Sequence, residues 1–238
     1  MGRIQRAFER RYNELLAELR ARDRTKALAW FQARAAAAVN SGAPSLSHAQ
    51  TELLIALLDQ VRRFHDRTVA HADNQPADRC RVICDAGLGG LARWLRASGC
   101  EAFWTQDISD PDLVAEAQHL DASIITTDSL LLDRGLITHG HVHAIWVPPT
   151  LTIQEQLRLV RAELNLPEPD SSSDSRCMRC GGELVEVSKE QVRDRIPPRT
   201  YRWLDEYFQC AVCGQIFWHG THWERIRQRL RERIKVGN

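Results

Sequence analysis

The sequence predicts an α/β protein built on a doubly wound parallel sheet, with a helical region before the sheet and a cysteine-rich module after it. Three observations carry this prediction. Between residue 81 and about residue 166, short apolar runs alternate with helical periodicities four times, and such strand and helix repeats force neighbouring strands to run parallel. Ahead of that stretch, apolar residues recur every three to four positions. Beyond it stand two Cys-x-x-Cys turns, Cys177 with Cys180 and Cys210 with Cys213.

Each element has its own signal. Ile4, Phe8, Tyr12, Leu15 and Leu19 form one helical stripe; an Ala-rich helix follows over 26–39, ended by Ser41-Gly-Ala-Pro44. Ser47-x-x-Gln50 reads as a capping box opening a third helix through Leu53, Leu54, Leu57, Leu58 and Val61. These helices define a region over 1–70, and the aperiodic polar stretch 71–78 is a linker. The sheet unit spans 79–166. It begins with a strand at 81–85, a helix at 88–97 ended by Gly99, and a strand at 101–105. Asp110-Pro111 opens the next helix, with Asp as N-cap and proline in the first turn. A third strand at 123–127, a helical turn at 129–134 and a fourth strand at 142–147 follow, then a helix opened by the capping box Thr152-x-x-Glu155. A second linker over 167–174 leads to the module at 175–238.

Composition narrows the function classes. With 32 Lys and Arg against 31 Asp and Glu the net charge is +1, so a uniformly basic coat protein and an acidic tail are both excluded. The charge is uneven: residues 1–78 hold 12 basic and 9 acidic groups, 79–166 hold 7 and 11, and 167–238 hold 13 and 11. An acidic centre therefore lies between basic flanks. No apolar run reaches the roughly 18 residues of a membrane helix, and a cytoplasmic location is expected. In that compartment four of the seven cysteines, paired as Cys-x-x-Cys, point to metal, and Cys80, Cys84 and Cys100 read as ordinary thiols.

Ligands of an open parallel sheet bind at the carboxyl ends of its strands. Here those ends are acidic: Asp85 closes the first strand, Asp107 and Asp110 lie after the second, and Asp128 closes the third. Asp112 and Asp133 are near enough in sequence to join them. Converging carboxylates repel one another unless a cation neutralises them, and an all-oxygen set favours Mg²⁺ or Mn²⁺. The plainer alternative makes Asp110 a helix cap and Asp128 a turn residue. Lysine is absent between Lys26 and Lys189, which disfavours a phosphorylated receiver domain; a P-loop is absent, and Asp85-Ala-Gly87 lacks the Asp-x-Asp of a haloacid-dehalogenase-like phosphatase. Metal-assisted phosphodiester hydrolysis is what remains.

Four cysteines at these spacings supply a closed tetrahedral set for one structural Zn²⁺, hence a zinc ribbon. The 29 residues between Cys180 and Cys210, with Pro197-Pro198 among them, imply an inserted loop or helix. Trp218-His-Gly-Thr-His222 follows, with Trp218 read as core and His222 as a candidate RNA contact. Beyond it Arg225 and Arg229 belong to an arginine-rich helix suited to phosphate, and Arg93 and Arg96 are expected to flank the acidic edge.

The stretch Asp85-Ala-Gly-Leu-Gly-Gly-Leu-Ala-Arg-Trp-Leu-Arg96, the acidic Gln106-Asp-Ile-Ser-Asp-Pro-Asp-Leu113, the strand end Ile-Ile-Thr-Thr-Asp128 and the paired knuckles before Trp218 resemble the Mut7-C RNase family, over about residues 81–223. The resemblance implies a PIN-like nuclease domain carrying a zinc ribbon. Asp85, Asp107, Asp110 and Asp128 match its acidic positions, and Cys177, Cys180, Cys210 and Cys213 its ribbon cysteines. The expectation is a metal-dependent ribonuclease acting on RNA. A catalytically silent zinc-ribbon RNA-binding protein is the rival.

Overall fold

In the computed structural model, which describes residues 2–68, 80–166 and 175–218, four strands form a parallel sheet in the order β2-β1-β3-β4. They are β1 (Arg81–Cys84), β2 (Glu101–Trp104), β3 (Ser123–Thr126) and β4 (Ala144–Trp146). Each is about a residue or more shorter than its apolar run predicts, because the flanking residues turn into loops. Val142, for example, donates its backbone N–H at 3.0 Å to the carbonyl of Leu136 in the short helix α6 (Gly135–Thr138) rather than to a strand.

The helix α4 (Gly89–Ala97) after β1 packs on one face of the sheet with α7 (Ile153–Glu163), whereas α5 (Asp110–Leu120) covers the other. Strand alternation explains the division: Val82, Cys84 and Ile125 point into the first core, and Ile83 and Ile124 into the second. Helices therefore lie on both faces, as the sequence predicts. The connection from β1 leads to one neighbour and that from β2 back past β1 to β3, so the order reverses between β1 and β3. Such a switch point opens a crevice at the carboxyl ends of the two strands.

The N-terminal helices α1 (Arg3–Glu18), α2 (Arg24–Asn40) and α3 (Leu46–Thr68) share the core on the α4 and α7 side. Phe8 meets Trp146 edge-on at 5.2 Å, Tyr12 donates to Gln50 O at 2.6 Å, and Arg158 forks onto Glu52 at 2.5 and 3.1 Å. The predicted third-helix cap is corrected: Ser45, not Ser47, accepts from His48 N, and Ser47 lies inside α3. The Thr152 and Glu155 capping box is present as predicted.

A second correction concerns the thiols. Cys80 and Cys100 form a disulfide, because the β1 and β2 register that pairs Arg81 with Glu101 also brings residue 80 beside residue 100. That juxtaposition exists only once the strands pair. Cys84 remains a free, buried thiol, and burial pushes its pKa up to about 12.

The C-terminal module is a three-stranded antiparallel sheet of β5 (Leu184–Val187), β6 (Tyr207–Cys210) and β7 (Ile216–Trp218). The predicted insertion between the knuckles holds two short helices, α8 (Lys189–Val192) and α9 (Pro198–Trp203). Val192, Ile196, Tyr207 and Ile216 form its core, with Trp218 packed against them. Among the described residues no helix is long and apolar enough to cross a membrane.

Candidate active site and metal centre

Asp85 and Asp128 stand at the carboxyl ends of the adjacent strands β1 and β3. Asp85 accepts hydrogen bonds from Ala86 N at 2.6 Å and from the Thr126 hydroxyl at 2.8 Å. The same hydroxyl oxygen accepts the Asp128 backbone N–H at 3.0 Å, and Asp128 Oδ1 accepts from Leu130 N at 2.9 Å. Thr126 is fully buried, so one threonine hydroxyl ties the two strand ends together. Sequence reasoning missed it. Its signal was available: a polar residue in an otherwise apolar strand must find a partner when buried.

The loops carrying these acids are braced by two tryptophans. Trp104 at the end of β2 donates to Ala86 O at 2.9 Å, and Trp146 at the end of β4 donates to Thr127 O at 3.2 Å. Gly89 is needed beside the first, since a Cβ there would lie 2.7 Å from the Trp104 ring.

Asp107 and Asp110 come from the loop between β2 and α5. Asp107 is exposed with φ of 58°. Asp110 is not the N-cap that the sequence predicts: Ser109 takes that position and accepts from Asp112 N, so Asp110 begins the first turn. Freed from capping, its carboxylate pairs with Arg134 at 2.8 Å. Asp133 is turned away and pairs with Arg10 at 2.5 Å. Among the described residues, the carboxylates do not come together as a set of three or more able to hold a metal ion. A cavity of about 410 Å³ lies elsewhere, between α1 and β4, and none of these aspartates lines it.

The cysteines do close. All four sulfur atoms lie within 4.8 Å of one another, with Cys177 to Cys213 at 3.7 Å and Cys180 to Cys210 at 3.4 Å. A tetrahedron with Zn–S bonds of about 2.3 Å has edges of about 3.8 Å, so the spacing fits zinc. The knuckles shape the thiols as well. Burial works to raise the Cys210 thiol, but the backbone amides of Cys213 and Val212 and the thiols of Cys180 and Cys213 outweigh it and bring it down to about 7. Burial pushes Cys177 up to about 12.

The expected position of Arg96 is corrected. It is buried near the C-terminus of α4, which runs back toward the amino ends of the strands, opposite the aspartates. Its guanidinium donates to Ala102 O at 2.7 Å, Arg179 O at 3.0 Å and Met178 O at 3.3 Å, clamping the first knuckle to the sheet unit. The ribbon answers in kind. Arg176 N and Ser175 Oγ donate, each at 2.9 Å, to Arg96 O and Ala97 O at the end of α4, where Arg96 O also accepts from Gly99 N at 3.1 Å. Gly181 has φ of 83°, and a Cβ there would press on Arg96 Nε at 3.3 Å. Arg93 is exposed on α4. His222, Arg225 and Arg229 lie outside the described residues.

A family model described as the Mut7-C RNAse domain matches residues 80–230, well over half of the chain. The chain belongs to the Mut7-C RNAse domain family. The matched range takes in both the aspartate-bearing sheet and the cysteine ribbon, so the Mut7-C domain includes everything described after the N-terminal helices. A human protein, the exonuclease mut-7 homolog of Homo sapiens, is 29% identical over 119 residues, which is 50% of this chain and 14% of that protein. The chain thus spans a small part of that relative's length. No solved structure matches.

Proposed function

We propose that this chain is a metal-dependent ribonuclease whose sheet is PIN-like and whose ribbon binds structural zinc. The observation that carries the reading is the pair Asp85 and Asp128 at the switch point, joined through Thr126. Mg²⁺ is usually held by one or two carboxylates, with water and substrate phosphate supplying the rest, so two strand-end aspartates suit it without a closed protein cage. Asp85 and Asp128 would hold Mg²⁺ or Mn²⁺, with Asp107 and Asp110 on the loop that follows β2. Held by these carboxylates, such an ion would supply a more acidic water and would offset charge developing on the phosphate.

The protein's own part is orientation. Asp85 keeps one rotamer because each of its oxygens accepts a hydrogen bond, and the two tryptophans hold the loops in place. Arg134 balances Asp110 and lessens carboxylate repulsion at the edge. RNA as substrate and the cytoplasm as location belong to the same proposal; the family description supports the first, and the Cys80 and Cys100 disulfide weighs against the second, since a reducing compartment keeps thiols reduced.

The spread of the carboxylates favours a second reading, an RNA-binding protein without catalysis. Incubating the purified chain with single-stranded and structured RNA, with EDTA or Mn²⁺, separates the two. Cleavage that needs Mn²⁺ and disappears in Asp85→Asn supports the nuclease. Binding without cleavage in every condition supports the rival.

A further inference from the structure

The insertion between the two knuckles leaves one large aromatic side chain in water. Trp203, the last residue of α9, is 73% exposed, unlike Trp104 and Trp146, which hydrogen-bond, and Trp218, which packs on the ribbon core. Its exposure is not a sign of a loose segment. Tyr201 and Leu204 pack against the ribbon core. Tyr207, fully buried, donates to Thr200 O at 3.2 Å and Leu204 O at 2.9 Å and so pins the end of α9. The helix thus has a fixed inner side and an outer side bearing Arg199, Arg202 and Trp203, all exposed. Arg199 and Trp203 are four residues apart and share a helical face. The nearby acid Asp205 is taken up by Lys189 at 2.8 Å, which leaves the two arginines less opposed.

We infer that α9 is a stacking platform for single-stranded RNA, on which Trp203 takes a base face and Arg199 and Arg202 take the flanking phosphates. An aromatic between cations suits a strand whose bases are unstacked, because every base offers a π-face and every linkage a negative charge. A duplex hides its base faces and meets such a convex surface only through its backbone. This rests on the ribonuclease reading and extends it. The first knuckle docks at the amino ends of the strands, and the aspartates stand at the carboxyl ends of strands four residues long, roughly 13 Å from that docking point. The platform therefore acts on strands several nucleotides long and leaves the chemical step alone.

The test uses the full chain with zinc bound. On an Asp85→Asn background, which keeps the strand intact, affinity for a fluorescent single-stranded RNA of about twenty nucleotides is measured against salt. Trp203→Ala should weaken binding about tenfold with an unchanged salt slope, and Trp203→Phe should restore most of it. Arg199→Ala and Arg202→Ala should each flatten the slope by about 0.7. With Asp85 restored, Trp203→Ala should raise KM for the long strand and leave kcat unchanged. Should the parent cleave RNA while Trp203→Ala and the arginine variants bind and cleave as it does, the platform is overturned and the nuclease stands. A parent that neither binds nor cleaves RNA overturns both. A Trp203→Ala variant with parental RNA affinity that no longer self-associates in light scattering assigns the patch to a protein contact instead.

Discussion

The four ribbon cysteines stand with their sulfur atoms inside 4.8 Å, whereas at the sheet edge Asp85 and Asp128 are held by hydrogen bonds around Thr126, Asp110 by an ion pair with Arg134, and Asp107 stands exposed. The difference follows from how each set is built. Each Cys-x-x-Cys turn fixes two ligands within one tight backbone loop, so only the two loops must meet, and the antiparallel ribbon brings them together. The aspartates come from three separate strand ends, whose spacing is set by the sheet. Like charges there gain nothing from crowding unless a cation joins them. A closed thiolate set is suited to a permanent structural ion, and an open carboxylate set to one that shares its coordination with substrate.

The largest effect should come from breaking the closed set. Metal analysis of reduced, purified protein should find one zinc per chain. Structural zinc contributes roughly 10–16 kcal/mol in small zinc-finger peptides, so Cys177→Ser or Cys210→Ser should melt the ribbon outright. Limited proteolysis should then cut the ribbon while the region 80–166 survives. A zinc-free protein with an intact ribbon would remove half of the comparison.

The open set should show the reverse pattern, a large loss of activity with little loss of stability. Asp85→Asn and Asp128→Asn should slow Mn²⁺-dependent cleavage about a hundredfold or more, equivalent to roughly 3 kcal/mol of barrier. Asp85→Asn should cost about 1 kcal/mol of stability, since an amide can accept only one of the two hydrogen bonds now made. Asp128→Asn should be nearly neutral, because Asn serves as well in the turn that Leu130 N closes. Parental cleavage by either variant would move the catalytic centre elsewhere.

The link between the two regions is the next largest effect. Arg96→Met keeps the volume of the stem but leaves three carbonyls without their charged donor. It should cost about 2–4 kcal/mol and free the ribbon from the sheet unit without releasing zinc. Differential scanning calorimetry should show two transitions in place of one.

How much of this was legible beforehand depends on the range of the interaction. The alternation of strand and helix, the Thr152 capping box and the cysteine knuckles are local patterns, and the structure contains all of them. The Cys80 and Cys100 disulfide depends on strand register, and the role of Arg96 depends on a module some 80 residues away in sequence, so neither has a local signature. Arg96 misled because an arginine on an amphipathic helix is ordinarily a surface group. Helix direction decides instead: α4 runs back from the acidic edge, so its late residues lie at the other end of the sheet. Thr126 was overlooked inside an apolar run, where its burial makes its hydroxyl count.

The smallest predicted effect separates capping from catalysis within the open set. Ser109, not Asp110, accepts the hydrogen bond from Asp112 N at the start of α5. Ser109→Ala should therefore cost about 1 kcal/mol of stability, as loss of an N-cap usually does. Asp110→Asn removes a first-turn charge and a half-exposed ion pair with Arg134, two contributions that together amount to about 0.5 kcal/mol or less at moderate salt. In cleavage the order should invert. Asp110→Asn should lower the rate beyond what its stability change accounts for, and Ser109→Ala should leave the rate near parental at temperatures below its transition. Thermal melts beside Mn²⁺-dependent rates for the two neighbours decide the matter. If Asp110→Asn destabilises as much as Ser109→Ala and cleaves normally, Asp110 is a structural residue, and the open set shrinks to the two aspartates that Thr126 joins.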